Sequence, residues 1–285
     1  MEVTAQTALD PAEMAHLMAV RTAEGIGIPQ SWSTALDHLQ RAADIGCELA
    51  QAELAGLAGD WVLANEIIAG KTSGKAREQS RADVDIGAWI NKPLRVTPSQ
   101  EPRMAMVSNL IEPQICDWII ARSRPRLKRA GVYGGDGNVL IHENRTGSDC
   151  VFGVRDRDVF LAIMRTRIAA VAELPVTALQ HVEVLHYSVG QRFKAHYDTP
   201  SDPETPGFGQ RLVTVLVSLN DDYDGGQTGF PALRKAWKGR KGAALFFWNL
   251  DATGAFERRV LHEGAPVTRG EKWIISQFIG SPSVE

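Results

Sequence analysis

Cysteine is scarce in this chain. Cys47, Cys116 and Cys150 are the only three, and no two of them stand as a CxxC pair. A zinc-thiolate site is therefore not expected. An odd, sparse count also argues against a disulfide-built secreted domain and for a reducing, cytoplasmic setting. No apolar run approaches the ~20 residues that a membrane-spanning helix needs. The start, Met1-Glu2-Val3-Thr4, lacks a basic stretch and an apolar core, so no signal peptide is expected. Excess charge of one sign is missing too. The net is −3 with His neutral, which gives no basic surface for nucleic acid and predicts neither a nucleic-acid nor a membrane partner.

What is present is ordinary globular composition, 44% hydrophobic and 23% charged. That excludes a disordered or fibrous chain. The length suits two unequal units better than one. The charge is divided: residues 1–99 hold 8 Lys/Arg against 13 Asp/Glu, and residues 100–285 hold 23 against 21. Residues 1–70 read as a small all-helical region, 71–103 as a polar and proline-containing linker, and 104–285 as the main domain.

In the helical region, Asp10-Pro11-Ala12-Glu13 combines a cap, a first-turn proline and a reciprocal glutamate, and opens a helix running to about Gly25. A second helix is expected from Ser33 to Gly46 and a third from Glu48 to Leu57. Alanines at 35, 42, 43, 50, 52, 55 and 58 would let these helices approach closely. His16 and His38 read as helix-surface residues. Ala15-His16-Leu17 is echoed 37 residues later by Ala52-Glu53-Leu54. This resembles a Sel1-like repeat, a relative of the tetratricopeptide helix pair. A plain helical cap on the next domain accounts for the pattern equally well. The apolar island Ile86–Ile90 is expected to dock on the following domain.

From Met104 the pattern changes. Helices are expected over 112–123 and 156–172, then strands over 181–187, 212–219, 243–248 and 273–279, rich in β-branched residues and bounded by turns. Helices followed by many short strands imply an α+β domain, a β-sandwich or jelly roll flanked by helices.

The chemistry centres on His196-Tyr197-Asp198. Residues two apart on a strand face the same side, so one imidazole and one carboxylate converge. His262, in an irregular stretch before Gly264-Ala-Pro266, is the best third donor. Two histidines and a carboxylate on one face of a metal leave positions open, as in non-haem iron(II) oxygenases. HxD alone is a weak signal, because a strand pair that merely hydrogen-bonds has the same spelling.

The surrounding blocks add to it. Tyr187-Ser-Val-Gly190-Gln-Arg-Phe193-Lys-Ala-His196-Tyr-Asp198 precedes Arg211-Leu-Val-Thr-Val-Leu-Val-Ser-Leu-Asn220. There follow Gly225-Gly-Gln-Thr228-Gly-Phe-Pro231, Lys241-Gly-Ala-Ala-Leu-Phe-Phe247 and His262-Glu-Gly-Ala-Pro-Val-Thr-Arg-Gly-Glu-Lys272-Trp273. This order resembles the prolyl 4-hydroxylase branch of the 2-oxoglutarate oxygenases over roughly residues 104–280. The resemblance implies a double-stranded β-helix (jelly-roll) core. It implies a dioxygenase that uses Fe(2+), 2-oxoglutarate and O2, with ascorbate as reductant, to hydroxylate an unactivated C–H, foremost a proline of a peptide or protein. It implies that His196, Asp198 and His262 are the catalytic metal ligands and that Lys272, Tyr187 and Thr228 hold the distal carboxylate of 2-oxoglutarate. Arg145 and Arg211 match positions on the substrate side. Phe193, Gln227 and Phe278 stand where the family often has Tyr, Glu and Trp, which loosens the inference to proline. Related halogenases replace the Asp198 carboxylate with a small residue, so halogenation is not expected.

Each of these residues also has a plainer reading: Lys272 as a surface lysine lying over Trp273, Tyr187 as packing, Thr228 as turn chemistry, Arg145 as a surface cation. His186 should point away from the site, opposite Tyr187. Three other functions stay open: a hydroxylase of a free amino acid or small metabolite, a cupin-type metalloprotein without 2-oxoglutarate, and a repeat-based interaction protein with an inactive barrel. The helical region could also recruit a protein partner. The glycine-rich stretch 131–138 and the stretch 199–209 are candidate lids.

Overall fold

A computed structural model describes residues 9–71, 81–133, 139–140, 143–199 and 210–280. The chain divides into two units that do not follow chain order. One contains Met1–Asn91 and Val154–Thr166, and the other Lys92–Gly153 and Arg167–Glu285.

The first unit is helical: α1 (Pro11–Glu24), α2 (Trp32–Asp44), α3 (Glu48–Leu57), α4 (Trp61–Ile68) and α5 (Ile86–Ile90). The expected capping box is formed. Asp10 accepts from the Glu13 backbone at 2.7 Å and Glu13 accepts from the Asp10 backbone at 3.3 Å. The buried alanines of α1 to α3 keep the helices close, whereas Ala58 is exposed.

The segment 154–166 completes this unit with charge as well as apolar surface. Glu24, fully buried, pairs with Arg157 and with Arg165 at 3.0 Å. Burial pushes the Arg165 guanidinium down to about 10, against the opposing pull of Glu24. His16 is not a surface residue. It is buried, with its Nε2 2.7 Å from the Glu53 carboxylate, while the other Glu53 oxygen accepts the Val159 N–H at 2.5 Å. His16 and Glu53 are the equivalent positions of the 37-residue echo. The Ile86–Ile90 island also stays within this unit. Trp89 donates to the Leu57 carbonyl at 2.9 Å and lies edge-on to Trp61 and Phe160. Gly56 makes room for Phe160, because a Cβ there would fall 2.8 Å from its ring.

Removing one partner from a buried ion pair leaves an uncompensated charge. Glu24→Ala is therefore expected to lower unfolding stability by about 3 kcal/mol. Urea melts of the two proteins measure this, and an unchanged midpoint would contradict it.

The second unit carries most of the strands. Along the chain these are β1 (Val96–Gln100), β2 (Arg103–Val107), β3 (Lys128–Arg129), β4 (Val132–Tyr133), β5 (Val139–Leu140), β6 (Ser148–Phe152), β7 (Leu179–Tyr187) and β8 (Phe193–His196). They continue with β9 (Arg211–Ser218), β10 (Asp224–Gly225), β11 (Thr228–Phe230), β12 (Lys235–Trp237), β13 (Ala244–Trp248), β14 (His262–Gly264), β15 (Val267–Arg269) and β16 (Lys272–Gly280). The helix α6 (Pro113–Ser123) belongs to this unit, and α7 (Val159–Ala172) belongs to it from Arg167 onward. Among the described residues, the major sheet has the order β1-β2-β13-β9-β16-β7-β6-β3 and the minor sheet the order β12-β11-β14-β8, with every pairing antiparallel. This is the expected jelly roll.

Between the sheets lies an apolar cluster. Leu185, Tyr187, Leu216, Leu245, Phe247 and Ile274 come from the major sheet, and Phe230 from the minor one. Each such side chain contributes roughly 1.5–3 kcal/mol by leaving water. The central strand β16 is buried along its whole length, which explains its nearly unbroken apolar run. Among the described residues, no helix is long and apolar enough to cross a membrane.

Candidate metal and co-substrate site

His196 ends β8 and His262 begins β14. The two strands pair in a register that sets these histidines directly opposite, with ring centroids 4.3 Å apart. Asp198 follows two residues after His196. Its Oδ1 lies 3.5 Å from His196 Nε2 and its Oδ2 lies 3.4 Å from His262 Nε2. The candidate ligand atoms of all three residues fall within 4.8 Å of one another.

Hydrogen bonds settle the tautomers. His196 Nδ1 is 2.8 Å from the Lys194 carbonyl and His262 Nδ1 is 3.1 Å from the Val260 carbonyl. A carbonyl only accepts, so each Nδ1 carries the hydrogen and each Nε2 lone pair faces the cluster. Burial pushes His262 down to about 4, so its imidazole is neutral and able to ligate at neutral pH. Burial works against ionisation of Asp198, but His262, His196 and Arg211 together hold its carboxyl well below the usual range. Two neutral imidazoles and one carboxylate fit a divalent iron ion. Phe193 stacks on His196 at 3.6 Å, and Phe247 and Phe230 flank His262 at 4.9 and 5.9 Å, forming an aromatic collar.

A cavity of about 520 Å³ opens over this trio. Its floor is made of facing rungs of β7 and β16. Tyr187 stands opposite Lys272, Leu185 opposite Ile274, and Glu183 opposite Ser276. Polar groups thus occupy both ends of the floor, with an apolar rung between them.

At one end Lys272 is buried, contrary to the surface reading. It donates to the Gly226 carbonyl at 2.7 Å and lies 5.6 Å from the Tyr187 ring. Burial lowers its ammonium to about 8 and raises the Tyr187 phenol to about 12. Gly226 has φ 65°, and a Cβ on it would press on Lys272, Tyr223 and Val267, so only glycine lets this carbonyl approach. Thr228 is buried on the same lining.

Arg145 and Arg211 stand toward the Glu183 rung, and Arg145 also reaches the Tyr187 phenol. Arg145 is buried. It donates to the Gly131 carbonyl at 2.9 Å and lies 3.6 Å from both Asp149 and Glu183. Arg211 donates to Gln180 at 3.2 Å and to the Asp198 carbonyl at 3.0 Å, and stacks on Phe278 at 3.6 Å. All eight residues singled out from the sequence therefore line one cavity. His186 faces away, against Trp273, and His181 is exposed. His142 and most of both candidate lids lie outside the described residues.

Glu183 and Ser276 were not singled out. Both were accessible by counting in twos along their strands from Tyr187 and Lys272. Burial raises the Glu183 carboxyl, against the pull of Arg145 and Arg211.

The model of the 2OG-Fe(II) oxygenase superfamily matches residues 182–280, which contain every one of these residues except Arg145. Prolyl 4-hydroxylase 5 of Arabidopsis thaliana is 33% identical over 199 residues, covering 61% of this chain and 67% of that protein. Probable prolyl 4-hydroxylase 3 of the same plant is 30% identical over 201 residues, covering 64% and 70%. The chain belongs to the 2OG-Fe(II) oxygenase superfamily.

The fold agrees. The crystal structure of a viral collagen prolyl hydroxylase from Paramecium Bursaria Chlorella virus-1, in its 2OG complex, superposes with a TM-score of 0.51 at 24% identity, covering 62% of this chain and 94% of that one. As a 2OG-Fe(II) oxygenase the protein is an enzyme that uses iron(II) and 2-oxoglutarate, and the His196–Asp198–His262 trio fits the metal.

Proposed function

We propose that this oxygenase hydroxylates a proline ring within a peptide or protein, with iron(II) held by His196, Asp198 and His262. The observation that carries the reading is the placement, in one cavity, of that trio beside a buried Lys272 whose ammonium donates to the Gly226 carbonyl. With 2-oxoglutarate and O2, the metal supplies the oxidant that exchanges a C–H for a C–OH while 2-oxoglutarate becomes succinate and CO2.

The chain's own residues do the rest. Lys272, with the Tyr187 and Thr228 hydroxyls, binds the distal carboxylate of 2-oxoglutarate through charge-assisted bonds. Leu185, Leu216 and Ile274 give the middle of the cavity an apolar lining against which an aliphatic ring can lie. Arg145 and Arg211, with Glu183 and Ser276, offer donors and acceptors to the peptide groups on either side of that ring. Phe193, Phe230 and Phe247 keep water from the metal face. The names of the two Arabidopsis relatives favour proline over other aliphatic targets. The three free thiols support a reducing, cytoplasmic setting.

The test uses the full chain with iron(II), 2-oxoglutarate and ascorbate in air. A proline-rich peptide is compared with its proline-to-alanine counterpart and with free proline. The expected result is more succinate with the proline peptide only, and a mass gain of one oxygen on proline. Oxygen gained by free proline alone would replace the peptide reading with a small-metabolite one.

A further inference from the structure

Asp198 is bound on two sides by β9, and the contact on its carboxylate continues into the core. Thr214 Oγ1 lies 2.8 Å from Asp198 Oδ2, and Asn249 Nδ2 lies 3.0 Å from the same Thr214 oxygen. Thr214 and Asn249 are 0% and 1% exposed. Thr214 sits mid-sheet, opposite Phe247 on one neighbouring strand and Phe278 on the other. Its strand neighbours are Val213, Val215, Leu216 and Val217. A valine would meet the same shape and strand preference, so the hydroxyl is what distinguishes this position. Burying a hydroxyl there is unfavourable unless it is hydrogen-bonded.

The direction of the chain of bonds follows from donor and acceptor counts. Asn249 Nδ2 also faces the Arg211 carbonyl at 3.1 Å, and a carbonyl requires the nitrogen side of the amide. The Asn249 backbone is held as well: its N–H donates to Leu212 O and its carbonyl accepts from the Glu257 N–H, both at 2.9 Å. Asn249 Nδ2 therefore donates to Thr214 Oγ1. A hydroxyl has one hydrogen, and with its lone pair taken by Asn249 that hydrogen goes to the carboxylate. Meanwhile Arg211 holds the Asp198 backbone carbonyl, and the Arg211 N–H meets Thr199 Oγ1 at 3.3 Å.

We propose that Thr214 and Asn249 are positioning residues that fix the orientation of the Asp198 carboxylate and thereby set how tightly the His196–Asp198–His262 trio binds a divalent cation. The proposal rests on reading that trio as the metal site. Without the hydroxyl, Asp198 Oδ2 loses a charge-assisted bond and the carboxylate is free to turn about its side-chain torsion. Groups that orient metal ligands in this way are typically worth about 10–100-fold in metal affinity.

The experiment is an anaerobic calorimetric titration of the full chain with cobalt(II), with His196→Ala as the reference for loss of the site. Thr214→Val is expected to bind cobalt(II) about 10–100-fold more weakly than wild type. Thr214→Ser keeps the hydroxyl and is expected to restore affinity to near wild type. Asn249→Ala, which frees the Thr214 hydrogen to turn elsewhere, is expected to fall between wild type and Thr214→Val. Melting curves on the same samples establish that the variants are folded, and Thr214→Ser with Asn249→Ala carry the test if Thr214→Val is not. Equal affinity in wild type and Thr214→Val overturns the proposal alone, as does a Thr214→Ser as weak as Thr214→Val, which would point to packing. Cobalt(II) binding by wild type that His196→Ala leaves intact overturns the site reading, and this inference with it.

Discussion

Replacing His196 with alanine is expected to abolish iron(II)-dependent conversion of 2-oxoglutarate to succinate while leaving the fold intact. The metal's share of transition-state stabilisation is several kcal/mol, and each 1.36 kcal/mol is a factor of ten, so a loss of about 10³-fold or more is expected. His196 is the informative ligand to remove. It sits at the end of β8 with its side chain 21% exposed, and beyond the trio itself it meets a stacked Phe193 and the Lys194 carbonyl. Backbone pairing of β8 with β14 does not depend on the imidazole. His262 is a poorer choice. It is buried between Phe230 and Phe247, and alanine there would leave a cavity in the core, so lost activity could reflect lost structure. The measurement is succinate formed with and without added iron(II), alongside melting temperature. Iron-dependent succinate persisting in His196→Ala would remove this residue from the metal site.

The parts of this site that were legible in the sequence are those whose chemistry and spacing coincide. His196 and Asp198 stand two apart, so their convergence is a local property, although β8 ends at His196 and Asp198 lies in the bend just past it rather than on the expected shared strand. Lys272 and His262 came from the order of blocks. That His262 lies opposite His196 is a matter of register between strands 66 residues apart, and the three-residue β14 has too little alternation to declare itself. The same shortness hid β11 and β12. Thr214 was overlooked because one hydroxyl in a β-branched run looks like strand propensity. Its role is visible only with Asp198 and Asn249 in place. In the helical unit, composition read His16 as a surface residue, because nothing near it in sequence could partner it. Glu53 does so from 37 positions away. Likewise Ile86–Ile90 was expected to dock on the domain of residues 104–285; it does meet Phe160 of that stretch, but Phe160 belongs to the helical unit. Apolarity says that a segment packs and does not say against what; here no residue of the segment is fully buried, and Trp89 packs on Trp61 and Phe160.

Lys272→Ala is expected to raise the KM for 2-oxoglutarate by about 10²-fold, with a smaller effect on turnover at saturating co-substrate. Removing one partner of a buried, hydrogen-bonded charge pair costs about 3 kcal/mol, and 1.4 kcal/mol is tenfold in affinity. The argument starts from the lysine without co-substrate. It is buried, its proton is received by the Gly226 carbonyl, and burial lowers its ammonium to about 8. A carboxylate brought to this end of the cavity supplies the missing countercharge, so binding should raise that value again. The sign follows. Below pH 8 the lysine is already charged and affinity is flat. Above pH 8 the free enzyme has lost the proton that the bound state requires, so affinity falls, approaching about tenfold per pH unit. The carboxylates of 2-oxoglutarate are fully ionised throughout this window and do not contribute. Two measurements check the account. Calorimetry at pH 8.5 in buffers of different ionisation enthalpy should register proton uptake with wild type and none with Lys272→Ala. KM against pH should bend upward near 8 in wild type and stay level in the variant. A wild-type KM level to pH 9.5, with Lys272→Ala binding 2-oxoglutarate as well as wild type, would mean that the distal carboxylate is held elsewhere and that this lysine serves only to brace the Gly226 turn.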